Sequence, residues 1–178
     1  MTSPDTPLTA ITRGLVAGAI GTAFMTVAQE LSAKLMAAGD DGDEQSEQQE
    51  QASEAEPQDP WEQASVPARL AKRIIEGVFE QEVPPQRIGQ LTHAMHWGYG
   101  TAWGAAYGVL HGSHPKRSVR QGVLFGSGVW ALSYVELVPT GLYEPPWKYA
   151  PKDIAMELGY HVVYGVGVVA GHRLLDRG

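Results

Sequence analysis

The chain contains no cysteine among its 178 residues. This absence excludes disulfides, thiolate catalysis and cysteine-based zinc or iron–sulfur sites. The sequence also lacks the phosphate-binding GxxxxGK(S/T) loop, a GxGxxG motif after a strand, the HExxH zinc motif and the GxSxG nucleophile motif. No nucleic-acid fold signature accompanies its one short basic run, so we expect no nucleic-acid partner. These absences weigh against an enzyme without excluding one, and the length is that of a single domain.

Basic residues are missing from one long stretch. Residues 40–62 carry ten Asp or Glu and no Lys or Arg, whereas the remaining sequence has 13 basic residues and 10 acidic ones. The formal net charge of −7 therefore comes from this stretch alone. Its Gln, Glu, Asp, Ser and Ala composition is typical of a disordered segment. We predict a disordered acidic loop over 37–62 that acts as a solvated spacer.

Four apolar blocks interrupt the polar sequence. They cover 14–28, 94–110, 122–138 and 154–171, and the only acidic residues in them are Glu136 and Glu157. A membrane-spanning helix needs about 20 mostly apolar residues, which each block reaches with its flanks. The blocks are also apolar on every face, unlike an amphipathic surface helix. We predict transmembrane helices over 13–36, 90–112, 119–139 and 153–174.

The predicted fold is all-α: a four-helix transmembrane bundle with an additional amphipathic helix and the disordered acidic loop. An N-terminal tail covers 1–12. The amphipathic helix covers 63–83, where apolar residues recur at Val66, Leu70, Ile74 and Val78, and it lies on the membrane surface or on the bundle. The segment 140–152 is rich in proline and aromatic residues, and we predict an ordered cap at the membrane interface.

Glycine is abundant, with 21 residues, and small residues recur at four-residue spacing in all four blocks. In lipid this spacing lets helix backbones approach closely. The expected partners are therefore the lipid bilayer and, through the glycine seams, a second copy of the chain. Two alternatives stay open: a soluble glycine-rich helical protein, and a signal peptide at the N-terminus.

Lys and Arg near the span ends predict the orientation. With the N-terminus inside, six basic residues fall on the inner side and four on the outer side. The positive-inside rule then places both termini in the cytoplasm and the acidic loop outside.

The predicted first span is rich in glycine and ends in Glu, and the second span bears His. The segment GLYEPPWKY (141–149) follows the third span, and the fourth span begins with Glu157 and His161. This order of elements resembles the YagU-like family of small bacterial inner-membrane proteins. The first loop departs from the family pattern, which is Pro-rich there rather than acidic. The resemblance implies a multi-pass inner-membrane protein with a link to acid tolerance, and it supplies no catalytic residues.

Antiparallel threading predicts one polar cluster. It would place the ionisable side chains of all four spans at the same end of the bundle, while uncharged Gly, Ala and Val stretches meet at the other end. Such side chains usually face the bundle interior, where they pair or serve a function. The predicted hydrogen-bonded cluster consists of Glu30, His93, His96, Glu136, Glu157 and His161, with Trp97 and Tyr160 at its rim. Snorkelling of these residues to the interface is the alternative.

Four members of this cluster are also candidate metal ligands. His93 and His96 share one helix face, as do Glu157 and His161 at i, i+4 spacing, and both pairs suit zinc or another divalent metal. Three functions stay open: a proton-responsive or small transport protein, a membrane scaffold or assembly partner, and, with less weight, a membrane metalloenzyme. No cofactor other than such a metal is implied.

Overall fold

The computed structural model describes residues 6–39, 59–111 and 118–176, and within these ranges it is all-helical. Five α-helices occur in the order α1 (Pro7–Gly39), α2 (Val66–Phe79), α3 (Ile88–His111), α4 (Val119–Leu137) and α5 (Pro151–Leu175). Short 3₁₀ turns occupy Pro85–Arg87 and Pro146–Lys148, and the described ranges contain no β-strand. The prediction of an all-α fold is therefore confirmed.

The helix boundaries differ from the predicted ones most strongly at α1 and α2. Helix α1 begins at Pro7, so much of the predicted tail over 1–12 is helical. Helix α2 ends at Phe79 because Glu80 adopts a left-handed conformation, and Pro84 and Pro85 then prevent the helix from continuing. Residues 40–58, most of the predicted acidic loop, lie outside the described residues.

The four long helices run alternately up and down. Helix α1 packs against α3 and α5, helix α4 packs against α5, and α2 lies on α3. We call the end that holds Pro7, His111, Val119 and Leu175 the terminal end, and the opposite end the cavity end. Helices α3 and α4 have little backbone contact, and Phe125 of α4 fills the space between them by packing on Trp103 and Tyr107 of α3.

Glycines form the helix–helix seams. A Cβ atom on Gly104 of α3 would collide with the backbone of Gly18 in α1. A Cβ atom on Gly126 of α4 would likewise collide with the backbone of His161 in α5. In contrast, a Cβ atom on Gly98 or Gly128 would meet nothing within 4 Å. The seams therefore let the backbones approach more closely than any larger side chain permits.

Two of the described helices are long and apolar enough to cross a membrane. They are α1, over Pro7–Ala38, and α5, over Pro151–Leu175. Helix α3 is poorer in aliphatic residues because it is rich in Gly, His, Trp and Tyr, and α4 has only 19 residues and includes Arg120 and Glu136. By length and composition, residues 6–39, 59–111 and 118–176 thus contain two candidate spans rather than the four expected.

Helix α2 is held by a small second core. Trp61 and Val83, which flank the helix in sequence, are buried together with Ala68. The Lys72 ammonium lies 5.5 Å from the centre of the Trp61 ring. The predicted apolar stripe on α2 is only partly covered, since Ile74 remains 43% exposed and Val78 69% exposed.

The cap over 140–152 is ordered and attached to the bundle. Its turn places Gly141 at a φ of +69°, and the Leu142 N–H bonds back to the carbonyl of Leu137. The Tyr143 and Tyr149 rings pack on Tyr134 of α4. Tyr143 and Tyr149 are therefore partly covered, whereas Trp147 in the same segment is 82% exposed.

Candidate functional site

A cavity of about 450 Å³ lies at the cavity end, between the four long helices. The first turn of α2 and Tyr143 of the cap cover part of it. Its polar and aromatic lining residues include Thr22, Thr26, Gln29, Ser65, Thr92, His93, His96, Tyr99, Trp103, Ser133, Glu136, Tyr143, Glu157, Tyr160, His161 and Tyr164. The volume lies within the usual range for small-molecule sites.

Five of the six predicted cluster residues line this cavity. They are His93, His96, Glu136, Glu157 and His161. Glu30 does not line it and is exposed on the surface of α1. Of the two predicted rim residues, Tyr160 lines the cavity and Trp97 does not. Antiparallel threading therefore brings five of the six residues to the end of the bundle that holds the cavity, and the exception lies at the end of the first helix.

The ionisable side chains do not bond to one another. Each of the two carboxylates instead accepts a hydrogen bond from a tyrosine. The Tyr99 hydroxyl donates to Glu136 Oε2 at 2.8 Å, and the Tyr134 hydroxyl donates to Glu157 Oε2 at 2.9 Å. The prediction of one directly hydrogen-bonded cluster is thus wrong, because tyrosines from neighbouring helices lie between its members.

The two inner histidines are also held separately. His161 Nδ1 lies 2.8 Å from the Glu157 carbonyl, and because a carbonyl only accepts, Nδ1 carries the proton. His96 Nε2 lies 3.1 Å from the Thr26 hydroxyl. That hydroxyl donates its own proton to the Thr22 carbonyl, so Nε2 of His96 is the donor. These contacts fix a tautomer for each neutral ring and leave the second nitrogen of each as an acceptor.

The predicted metal ligands His93, His96, Glu157 and His161 do not form a metal centre. Within residues 6–39, 59–111 and 118–176, no group of three or more His, Asp or Glu side chains is arranged to hold a metal ion. Three of these four side chains bond to other groups instead. Glu157 accepts a hydrogen bond from Tyr134, His161 bonds to the Glu157 backbone carbonyl, and His96 bonds to the Thr26 hydroxyl. Correct spacing within α3 and within α5 does not bring the two pairs together.

Buried side chains close the cavity toward the middle of the bundle. Tyr164 is 3% exposed, and its hydroxyl donates to the Gly100 carbonyl at 2.7 Å. Beyond it lies the main hydrophobic core, which includes Tyr107 and Val168 at 0% exposure. The cavity is therefore a one-ended space.

The Tyr143 hydroxyl contributes a neutral group to the cavity. Burial, and next the nearby Glu157 carboxylate, raise the pKa of Tyr143 to about 12. Because this pKa lies far above neutral pH, the Tyr143 hydroxyl stays protonated and adds no negative charge beside Glu157.

The terminal end also contains titratable side chains, which the sequence analysis missed. His172 is buried at 1% exposure, 5.3 Å from the Tyr107 ring, and His111 stacks on the same ring at 4.5 Å. Arg13 and Asp176 lie 3.7 Å apart at this end. The expected meeting of uncharged Gly, Ala and Val stretches at this end therefore omitted two histidines, whereas Asp176 lies just beyond the end of α5.

Several tyrosines and threonines that bond to the cavity residues or line the cavity were not among the predicted residues. Thr22 and Thr26 continue the four-residue spacing of Gly14 and Gly18, so their position on the seam facing α3 was readable from the sequence. Tyr99 and Tyr164 each follow a site histidine by three residues, which is the spacing of one helix face. No such signal links Tyr134 to Glu157, which lie on different helices.

Comparison with known proteins finds no matching family model, no matching curated protein and no matching solved structure.

Proposed function

We propose that this chain is a multi-pass inner-membrane protein of the YagU-like kind, and that it binds a small molecule for transport in its one-ended cavity. The cavity of about 450 Å³ carries this proposal, because a bundle that only scaffolded other proteins would have no need of one. Polar groups from α1, α3, α4 and α5 converge on it.

Apolar side chains on the outer faces of the bundle support the membrane location. On α1, Phe24 and Val27 are more than half exposed, and on α4, Leu124 is 62% and Val135 68% exposed. Soluble monomers rarely expose large contiguous apolar surfaces. Helix α4 carries this outer face although it is not one of the two candidate spans.

Helix lengths are consistent with the same location. The 24 residues of α3 and the 19 of α4 extend over about 36 Å and about 28 Å, close to the hydrocarbon thickness of about 30 Å. The exposed Ile74, Val78 and Phe79 of α2, together with its basic residues, suit a helix that lies at the interface.

The closed inner end of the cavity, toward the middle of the bundle, favours the binding site of a carrier over the pore of a channel. Tyr164, Tyr107 and Val168 occupy the bundle between the cavity and the terminal end. A bound molecule would therefore reach the cavity from one side only in this conformation. The orientation suggested by the basic residues places that opening outside the cytoplasm.

The absence of native cysteine makes the topology directly testable. We expect Trp147→Cys in the cap to react with a membrane-impermeant maleimide on intact cells. Val119→Cys at the terminal end should react only after the membrane is permeabilised. Equal labelling of both positions in intact cells, or recovery of the protein in the soluble fraction, would contradict the membrane proposal.

Access to the cavity is tested in the same cysteine-free background. Ser133 lines the cavity, and Val168 lies in the core beyond it. We expect a small neutral methanethiosulfonate to modify Ser133→Cys at least ten times faster than Val168→Cys in detergent-purified protein. Equal rates would remove the cavity as a binding site and leave the scaffold function.

A further inference from the structure

Of the residue types Asp, Glu, Lys and Arg, only Glu occurs in the cavity lining. Glu136 of α4 and Glu157 of α5 both line the cavity, and no Lys or Arg occurs among its lining residues. Each carboxylate uses Oε2 to accept a tyrosine hydrogen bond. The other oxygen of each has no hydrogen-bond or ion-pair partner within the described part of the chain.

Aromatic rings form much of the remaining wall. Tyr99 and Trp103 meet edge to face at 6.1 Å, and Tyr160 and Tyr164 line the side formed by α5. The negative face of an aromatic ring attracts a cation, and it attracts it more strongly where water is excluded. Apolar side chains such as Met25 and Val129 complete the lining.

We propose that the cavity binds a monovalent organic cation with hydrophobic substituents, of the ammonium or phosphonium class. This inference rests on the proposed function and names its ligand class. The carboxylates supply the opposite charge, while the rings and apolar side chains contact the substituents. An anion would meet two carboxylates and no Lys or Arg side chain in this lining, and a bare metal ion would lack a set of ligands.

Tetraphenylphosphonium and tetraphenylborate test this proposal, because they share size and shape and differ in charge. Equilibrium dialysis of the purified protein in an uncharged detergent measures binding of each ion above the detergent blank. We expect saturable binding of the phosphonium at one site per chain, with an affinity at least ten times that for the borate. Equal affinities, or tighter binding of the borate, would overturn the proposal.

Glutamine variants locate the site. Glu136→Gln and Glu157→Gln should each weaken phosphonium binding about tenfold and should not weaken borate binding. Glu30→Gln is the matched control: it removes the same charge from the same end of the bundle, outside the lining, and we expect less than a twofold effect. A similar loss in all three variants would indicate a nonspecific surface charge and overturn the assignment.

A second measurement keeps the proposal falsifiable if a variant fails to fold. In Ser133→Cys, a trimethylammonium methanethiosulfonate should react faster than its sulfonate counterpart, after correction for their rates with a free thiol. If the neutral reagent enters but the cationic one has no advantage and the phosphonium does not bind, the ligand class is wrong and the binding cavity stands. If no reagent enters, both proposals fail.

Discussion

Replacing Gly104 by alanine should separate helices α1 and α3 and destabilise the bundle. The added Cβ would overlap the Gly18 Cα and lie 2.6 Å from the Gly18 nitrogen. Carbon contacts are most favourable near 3.5–4.0 Å, so the two backbones would have to part by about 1 Å. The nearest atoms belong to the backbones of Gly14 and Gly18, which have no side chain that could rotate away. The strain can therefore be relieved only if the two helices move apart along the seam.

The expected cost lies at the upper end of the usual range for overpacking, about 3 kcal/mol. A change of that size lowers the folding equilibrium constant by roughly 100-fold. Gly98→Ala on the same helix is the matched control, because its Cβ would meet nothing within 4 Å. Since alanine favours helix over glycine by up to about 1 kcal/mol, this control should be neutral or stabilising.

The two variants are compared by equilibrium unfolding in detergent micelles, with tryptophan fluorescence as the signal. The five tryptophans include Trp97 and Trp103 on α3, so opening of this helix is reported directly. If Gly104→Ala unfolds at the same denaturant concentration as Gly98→Ala, the close approach of α1 and α3 is refuted.

Two further predictions concern the segments outside the long helices. Hydrogen bonds from Lys72 and from the Val83 backbone N–H lower the pKa of Glu76. The stability that these bonds contribute is therefore fully present above the unfolded pKa of 4.5 and is lost as the pH falls through the lower pKa of the folded state. The hydrogen-exchange protection factor of the Val83 amide should therefore fall on acidification below pH 4.5 in the native protein, and it should be low at every pH in Glu76→Gln. Identical pH profiles of the two proteins would contradict the hydrogen bond from Val83 to the Glu76 carboxylate. Gly141→Ala should destabilise the cap by about 1 kcal/mol, because a residue with a side chain is strained at a φ of +69°. Gly89→Ala is the control, since Gly89 has no positive φ and no neighbour within 4 Å of an added Cβ. Protease cleavage after Lys148 should be faster in Gly141→Ala than in Gly89→Ala.

The helical architecture was largely determined by the sequence. Apolar blocks with few charged residues, glycine at four-residue spacing and proline at the connections are local properties, and the predicted limits of α3, α4 and α5 lie within two residues of the observed ones. Helix α1 was underestimated at its start, because Pro7 suits the first turn of a helix and was assigned to a tail. The C-terminal end of α2 depends on Glu80 in a left-handed conformation, which glutamate does not favour and the sequence therefore did not predict.

The site was determined by the sequence only in its location. Alternating helix direction, expected for successive membrane crossings, was enough to bring His96, Glu136, Glu157 and His161 to one end. Their bonding partners depend on the rotation of each helix about its own axis, which the glycine seams fix through contacts between different helices. The rotation of the helices about their axes places Tyr134 against Glu157 and leaves Glu30 on the outside of α1. Only the tertiary structure therefore decided that the carboxylates of Glu136 and Glu157 line a cavity and do not bond to the other members of the predicted cluster.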